Sequence, residues 1–331
     1  MLECNGRLRD VAAHYGIPPT NWLDLSTTGN PDGWPVPPLP AATWHHLPAG
    51  ADGLEAAATA YYGNANLLPV AGALAAVRLL PALLPRAVVA CIGPFASPHV
   101  EAWTQLGHRP RLLQNATLPR ALAAATPYVL LANPNDLTAN QHPHAVAVDA
   151  AKQLKKRGGW LIVDESLIDP TPEESLTPLA GTAEAPNLVV LRSLDHYFGL
   201  AGARVGFVCA ARELLEKMAA VMGPWTVAGP SRAAARLALL DSDWQAAMRA
   251  RLRAAGQRLH NLLAPFGEVR STALFAALTT PQAADLHDHL ARHNILVCHF
   301  EPGSLLRCGL PGDEAGWQRL AAALAAWKPA A

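Results

Sequence analysis

The sequence predicts an α/β protein: a large domain on a mostly parallel central sheet, followed by a small α+β C-terminal domain. Three observations carry this. From residue 67 to residue 222, short apolar runs alternate with helix-period segments, the pattern of strands joined by helices that cover both faces of a parallel sheet. Past Pro224 the pattern becomes one long helical stretch, then short strand runs and a last helix. The chain has 331 residues, 51% of them hydrophobic, which is enough for one large and one small core.

The elements follow in order. Residues 1–50 form a proline-rich N-terminal arm, 51–240 the large domain and 241–331 the small one. In the arm, 7–15 has helical spacing and stops at Gly16, with Pro18 and Pro19 beyond. A short helix over 53–62 is closed by Gly63, a left-handed C-terminal cap. Strands are expected over 67–70, 87–92, 128–132, 160–164, 188–191 and 204–209, with helices over 75–84, 98–106, 145–156 and 212–222. The small domain takes a helix over 244–263, strands over 271–278, 295–299 and 305–309, and a final helix over 314–327. There is no internal repeat and no low-complexity linker.

Composition excludes several classes. Formal net charge is zero and no basic stripe suits a nucleic acid. The basic run at 152–157 is expected as the solvated end of a helix, its cations near the C-terminus. Apolar stretches are broken by Arg or Pro well short of a membrane span. The five cysteines show no C-x-x-C spacing and are expected as reduced thiols of a cytoplasmic protein. His45 with His46, and His289 with His293, are expected on solvated surfaces. Adjacent histidines rarely chelate one ion, and the helical pair lacks the Glu of H-E-x-x-H, so no metal site is assigned.

Some positions have a chemistry of their own. Asp164 ends an apolar strand, where α/β sheets place their ligands. Ser193 and Arg204 flank a polar turn between two strands, and a hydroxyl with a guanidinium suits a phosphate.

The stretch Arg192-Ser193-Leu194-Asp195-His196-Tyr197-Phe198-Gly199-Leu200-Ala201-Gly202-Ala203-Arg204-Val205-Gly206-Phe207 resembles the cofactor-lysine segment of fold-type I pyridoxal-phosphate (PLP) enzymes. It is most similar to the branch of histidinol-phosphate aminotransferase and threonine-phosphate decarboxylase, which reads Arg-Ser-Leu-Ser-Lys-Phe-Phe-Gly-Leu-Ala-Gly. Val163-Asp164-Glu165-Ser166-Leu167-Ile168-Asp169, Asn133-Pro134-Asn135-Asp136-Leu137-Thr138-Ala139, Tyr61-Tyr62-Gly63 and Leu306-Arg307-Cys308-Gly309-Leu310-Pro311 also match that branch. So does the arm segment ending in Asn30-Pro31, and the resemblance runs from Gly6 to Leu310.

The resemblance implies the fold-type I fold and a homodimer with PLP at the subunit interface. Asp164 would hold the pyridine nitrogen, Phe95 stack on the ring, and Ser193, Arg204 and the amides at Gly72, Ala73 and Leu74 hold the phosphate. Arg307 would bind the substrate carboxylate and Asn30 belong to the substrate-facing arm. The chain departs from the pattern at its chemical centre. His196 stands at the lysine position, and imidazole holds no aldehyde. Asp136 stands where an Asn donates to the cofactor's phenolic oxygen, and an ionised carboxylate only accepts. Ala73 and Leu74 trim the phosphate cup, Cys4-Asn5-Gly6 replaces His-Gly-Gly, and Cys298 stands where relatives often carry Arg.

Three functions therefore stay open. One is a catalytically impaired threonine-phosphate decarboxylase of cobalamin biosynthesis, with PLP bound non-covalently and His196 handling a proton. Another is a non-catalytic pseudoenzyme or scaffold subunit with a cobalamin-pathway protein partner. The third is a histidinol-phosphate-type aminotransferase. The expected ligand is a phosphorylated amino acid or similar small anion.

Overall fold

A computed structural model of the protein describes residues 8–48, 50–94, 97–114, 117–300 and 304–328. The chain divides into two compact units. One comprises 34–136 and 140–247; the other comprises 1–33, 137–139 and 248–331.

The first unit holds a seven-stranded sheet. Its strands in chain order are β1 (Leu67–Val70), β2 (Val88–Ile92), β3 (Arg109–Leu113), β4 (Tyr128–Ala132), β5 (Trp160–Asp164), β6 (Leu188–Ser193) and β7 (Gly206–Cys209). Their spatial order is β1-β7-β6-β5-β4-β2-β3. All neighbouring pairs are parallel except those made by β7, which runs antiparallel to β1 and β6. Central strands β4 and β6 are buried throughout; β4 and residues 188–191 of β6 accordingly appear as unbroken apolar runs, and β6 ends in the buried Arg192 and Ser193.

Among its strands and α-helices, four elements of this unit are absent from the expectations above, one strand and three helices. Strand β3, Arg-Pro-Arg-Leu-Leu, lies at the sheet edge, where its charged residues and Pro110 are tolerated and apolar periodicity is lost. The helices are Ala42–His45, Leu118–Ala123 and Gly229–Leu240. The expected strand over 204–209 begins instead at Gly206, because Arg204 adopts φ 51°, a left-handed conformation that ends strand pairing.

The second unit pairs Leu23–Asp24 in parallel with Ile295–Leu296 and builds a four-stranded antiparallel sheet. The expected strand over 271–278 divides into Glu268–Ser271 and Phe275–Thr279. The final helix, Glu314–Ala326, starts at an Asp313 cap that accepts from the Gly316 amide at 2.7 Å.

Cys91, Cys209 and Cys308 are free, and burial pushes each thiol up to about 12. Cys298 is disulfide-bonded, which corrects the expectation of reduced thiols at that position. Among the described residues, no helix is long and apolar enough to cross a membrane.

Candidate active site

Parallel strands β4, β5 and β6 are neighbours, so their C-terminal ends form one edge of the sheet. Asp164 is the last residue of β5, Asp136 lies four residues past β4, and Ser193 ends β6 with Asp195 and His196 just beyond. Topology thus gathers Asp136, Asp164, Ser193 and His196 onto the edge where such sheets bind ligands. Phe95 lies outside the described residues.

Asp164 is the most tightly held. Its Oδ1 accepts from the Ser166 amide at 3.0 Å and the Ser166 hydroxyl at 2.5 Å. Its Oδ2 faces His99 Nε2 at 2.9 Å. Burial alone would raise this carboxyl, but the bonds from His99 and Ser166 outweigh it and hold the group below the usual carboxylate range. Asp164 is therefore an anion, and His99 Nε2 carries the proton between them. His99 escaped the sequence reading; a lone histidine near a helix start gives no signal, and only the tertiary fold brings it to β5.

Arg204 is the next anchor. Its Nη1 bonds Asp195 Oδ2 at 3.0 Å and the Ala201 carbonyl at 3.1 Å. A Cβ on Gly72 would overlap the Arg204 guanidinium, so the missing side chain lets the cation lie against the start of the helix Ala73–Leu83. Gly72 has φ 77°, a second reason for glycine there. Gly206 packs as closely, since a Cβ on it would come within 2.6 Å of the Ala73 nitrogen. The Ser193 Oγ accepts from the Asp195 amide at 3.1 Å, which ties the turn to the end of β6.

Behind this edge lies a buried charge cluster that sequence reasoning also missed. Arg192 bonds Glu165 at 3.2 Å, Ser175 at 2.8 Å, Thr177 at 3.1 Å and Asp169 at 2.5 Å. Its guanidinium also stacks 4.6 Å from the Tyr62 ring centroid, and Tyr61 donates to Asp169 at 2.8 Å. Burial raises Glu165; Arg192 and the surrounding donors only partly oppose that. Glu165, Asp169 and Arg192 all lie inside matched motifs, so the signal was present, but their pairing was not.

His196 is half-buried, and all five lysines of the chain, Lys152, Lys155, Lys156, Lys217 and Lys328, are exposed. Lys152 pairs with Glu184 and Lys155 with the Ala183 carbonyl, on the helix His144–Lys155.

Arg307 and Asn30 belong to the second unit. Arg307 is 4% exposed, donates to the Ser26 carbonyl at 2.8 Å and lies 3.5 Å from the Cys298 sulfur. The Asn30 side chain accepts from the Asp32 amide at 2.9 Å.

Fold and sheet edge define a member of the α/β class that carries aminotransferase-type sites. The chain belongs to the aminotransferase class I and II family, whose model matches residues 49–324. It is 44% identical to a threonine-phosphate decarboxylase of Pseudomonas aeruginosa, over 99% of this chain and 98% of that one. A threonine-phosphate decarboxylase of Sinorhizobium is 36% identical, over 97% and 96%. Among solved structures, histidinol-phosphate aminotransferase from Sinorhizobium meliloti in complex with pyridoxal-5'-phosphate superposes with a TM-score of 0.79 at 22% identity, covering 98% and 94%. The fold is that of fold-type I PLP enzymes.

The residues present do not fit PLP held in the way the motifs imply. An exposed lysine on a peripheral helix cannot replace the one missing at His196. Asp136 offers no donor unless protonated. Arg204 already bears the Asp195 carboxylate, whereas Asp164, ionised and still able to accept, is the one position that suits a pyridinium.

Proposed function

We propose that this chain is a catalytically impaired member of the threonine-phosphate decarboxylase branch, retained as a non-catalytic subunit of cobalamin biosynthesis. The observation that carries it is His196 at the cofactor-lysine position in a chain whose five lysines are all exposed. Full-length similarity to two threonine-phosphate decarboxylases supports the branch over the histidinol-phosphate aminotransferases. On this reading Asp164, Ser193, Arg204 and the amides of Gly72, Ala73 and Leu74 are the remains of a cofactor site, and Phe95 of its ring stack. Asp136 opposes the phenolic oxygen, while Arg307 and Asn30 are the remains of a substrate site. The protein acts in the cytoplasm as a homodimer, and its partner is a protein of the same pathway.

A second reading, a residual lyase with PLP bound non-covalently, is favoured by one observation: Asp164 is kept ionised, as a pyridinium partner must be. Purified protein mixed with PLP, reduced with borohydride and digested separates the two from an intact enzyme. No pyridoxyl label is expected in the segment after β6, and no decarboxylation of O-phospho-L-threonine. A lysine labelled stoichiometrically would overturn the proposal, and turnover without a label would select the residual lyase.

A further inference from the structure

We infer that Asp195 is a built-in anion that occupies Arg204 and excludes phosphate esters from the pocket. The inference rests on the reading that this pocket descends from a phosphate-binding one.

Three features converge at the turn after β6. The helix Ala73–Leu83 starts here, and its first amides lack intrahelical partners. Gly72 leaves room for the Arg204 guanidinium against that start. Ser193 places a hydroxyl at the end of β6. All three favour a negative charge, and the negative charge present is the chain's own. Asp195 Oδ2 bonds Arg204 Nη1 at 3.0 Å. Its Oδ1 has no hydrogen-bond partner among the described residues, and Arg204 is the cation that faces its other oxygen. A phosphate arriving here would meet a guanidinium already neutralised and a carboxylate beside it. Like charges at this separation repel, and a second anion can bind only by displacing the first. The family pattern has Ser at this position, which carries no charge.

A purely structural ion pair would behave differently. Arg204 is 48% exposed, so the pair adds little to stability, and its loss should leave the fold intact. Inorganic phosphate and pyridoxine 5'-phosphate, which has ring and phosphate but no aldehyde, are titrated calorimetrically into the full chain. Asp195→Asn removes the charge at constant size; Asp195→Ser restores the family residue. Circular dichroism checks folding, and ligand-induced shifts in melting temperature give a second measure. Both variants should bind both probes at least about tenfold more tightly than the unmutated protein, equivalent to about 1.4 kcal/mol. Arg204→Ala in the Asp195→Asn background should erase the gain. Equal affinity in all proteins, or a gain that survives loss of Arg204, overturns the inference. A pyridoxyl-lysine in the unmutated protein would instead overturn the proposed function, so the two failures are distinct.

Discussion

His99 donates to Asp164 across 2.9 Å, and this contact together with Ser166 decides how the carboxylate titrates. A carboxyl whose folded pKa is depressed adds stability above its unfolded pKa, and that stability is lost as pH falls through the folded value. The window for Asp164 therefore lies below pH ~4. In His99→Phe, burial acts against the remaining Ser166 bonds alone. The Asp164 carboxyl carbon should then titrate at higher pH by ¹³C NMR, and the acid limb of stability should move up with it. An unchanged titration would show that Ser166 alone sets the value. At the neighbouring strand end, His196→Lys alone should restore little decarboxylation of O-phospho-L-threonine, although losing such a residue costs on the order of 10⁴ in rate. Asp136 still offers no donor, so His196→Lys with Asp136→Asn should exceed the product of the single effects. Full activity from the lysine alone would mean that Asp136 is protonated and harmless.

At the scale of elements, β7 enters the sheet against the start of the helix Ala73–Leu83. A Cβ on Gly206 would lie 2.6 Å from the Ala73 nitrogen and 2.8 Å from the Arg192 carbonyl, both rigid backbone. Gly206→Ala should therefore destabilise the protein by about 1–3 kcal/mol in urea titrations, the usual range for overpacking. A change under about 0.5 kcal/mol, typical of surface positions, would mean that strand and helix separate easily. The turn between β6 and β7 shows how much of an element sequence can carry. Its glycines mark close approach of backbone, but Arg204 at φ 51° is invisible in the residue pattern, since arginine has no preference for that region.

At the scale of the whole molecule, Trp44 is 69% exposed and Leu47 66%. Large apolar side chains exposed within a few residues of one another often mark an interface. The homodimer proposed above should be the species seen in sedimentation velocity at micromolar concentration. Trp44→Glu with Leu47→Glu should shift it toward monomer without changing the far-ultraviolet spectrum. An unmutated protein that sediments as a monomer would refute the dimer.

The sequence by itself determined the α/β class, the family and the positions at the sheet edge. Buried parallel strands are mostly apolar along their length, and ligand positions lie at or just beyond their C-terminal ends. The missing lysine was equally legible, because one residue carries that chemistry. Edge strand β3 escaped, since an edge has no buried face to impose a pattern. Only the tertiary structure decided which charges meet. His99 reaches Asp164 from 65 residues away, and Arg192 gathers Glu165 and Asp169 from 27 and 23 residues away. An ion pair depends on where two backbones converge, and residue types along one chain do not state that. Asp195 and Arg204 are only nine residues apart, yet their pairing too required the left-handed turn that folds the cation back onto the carboxylate.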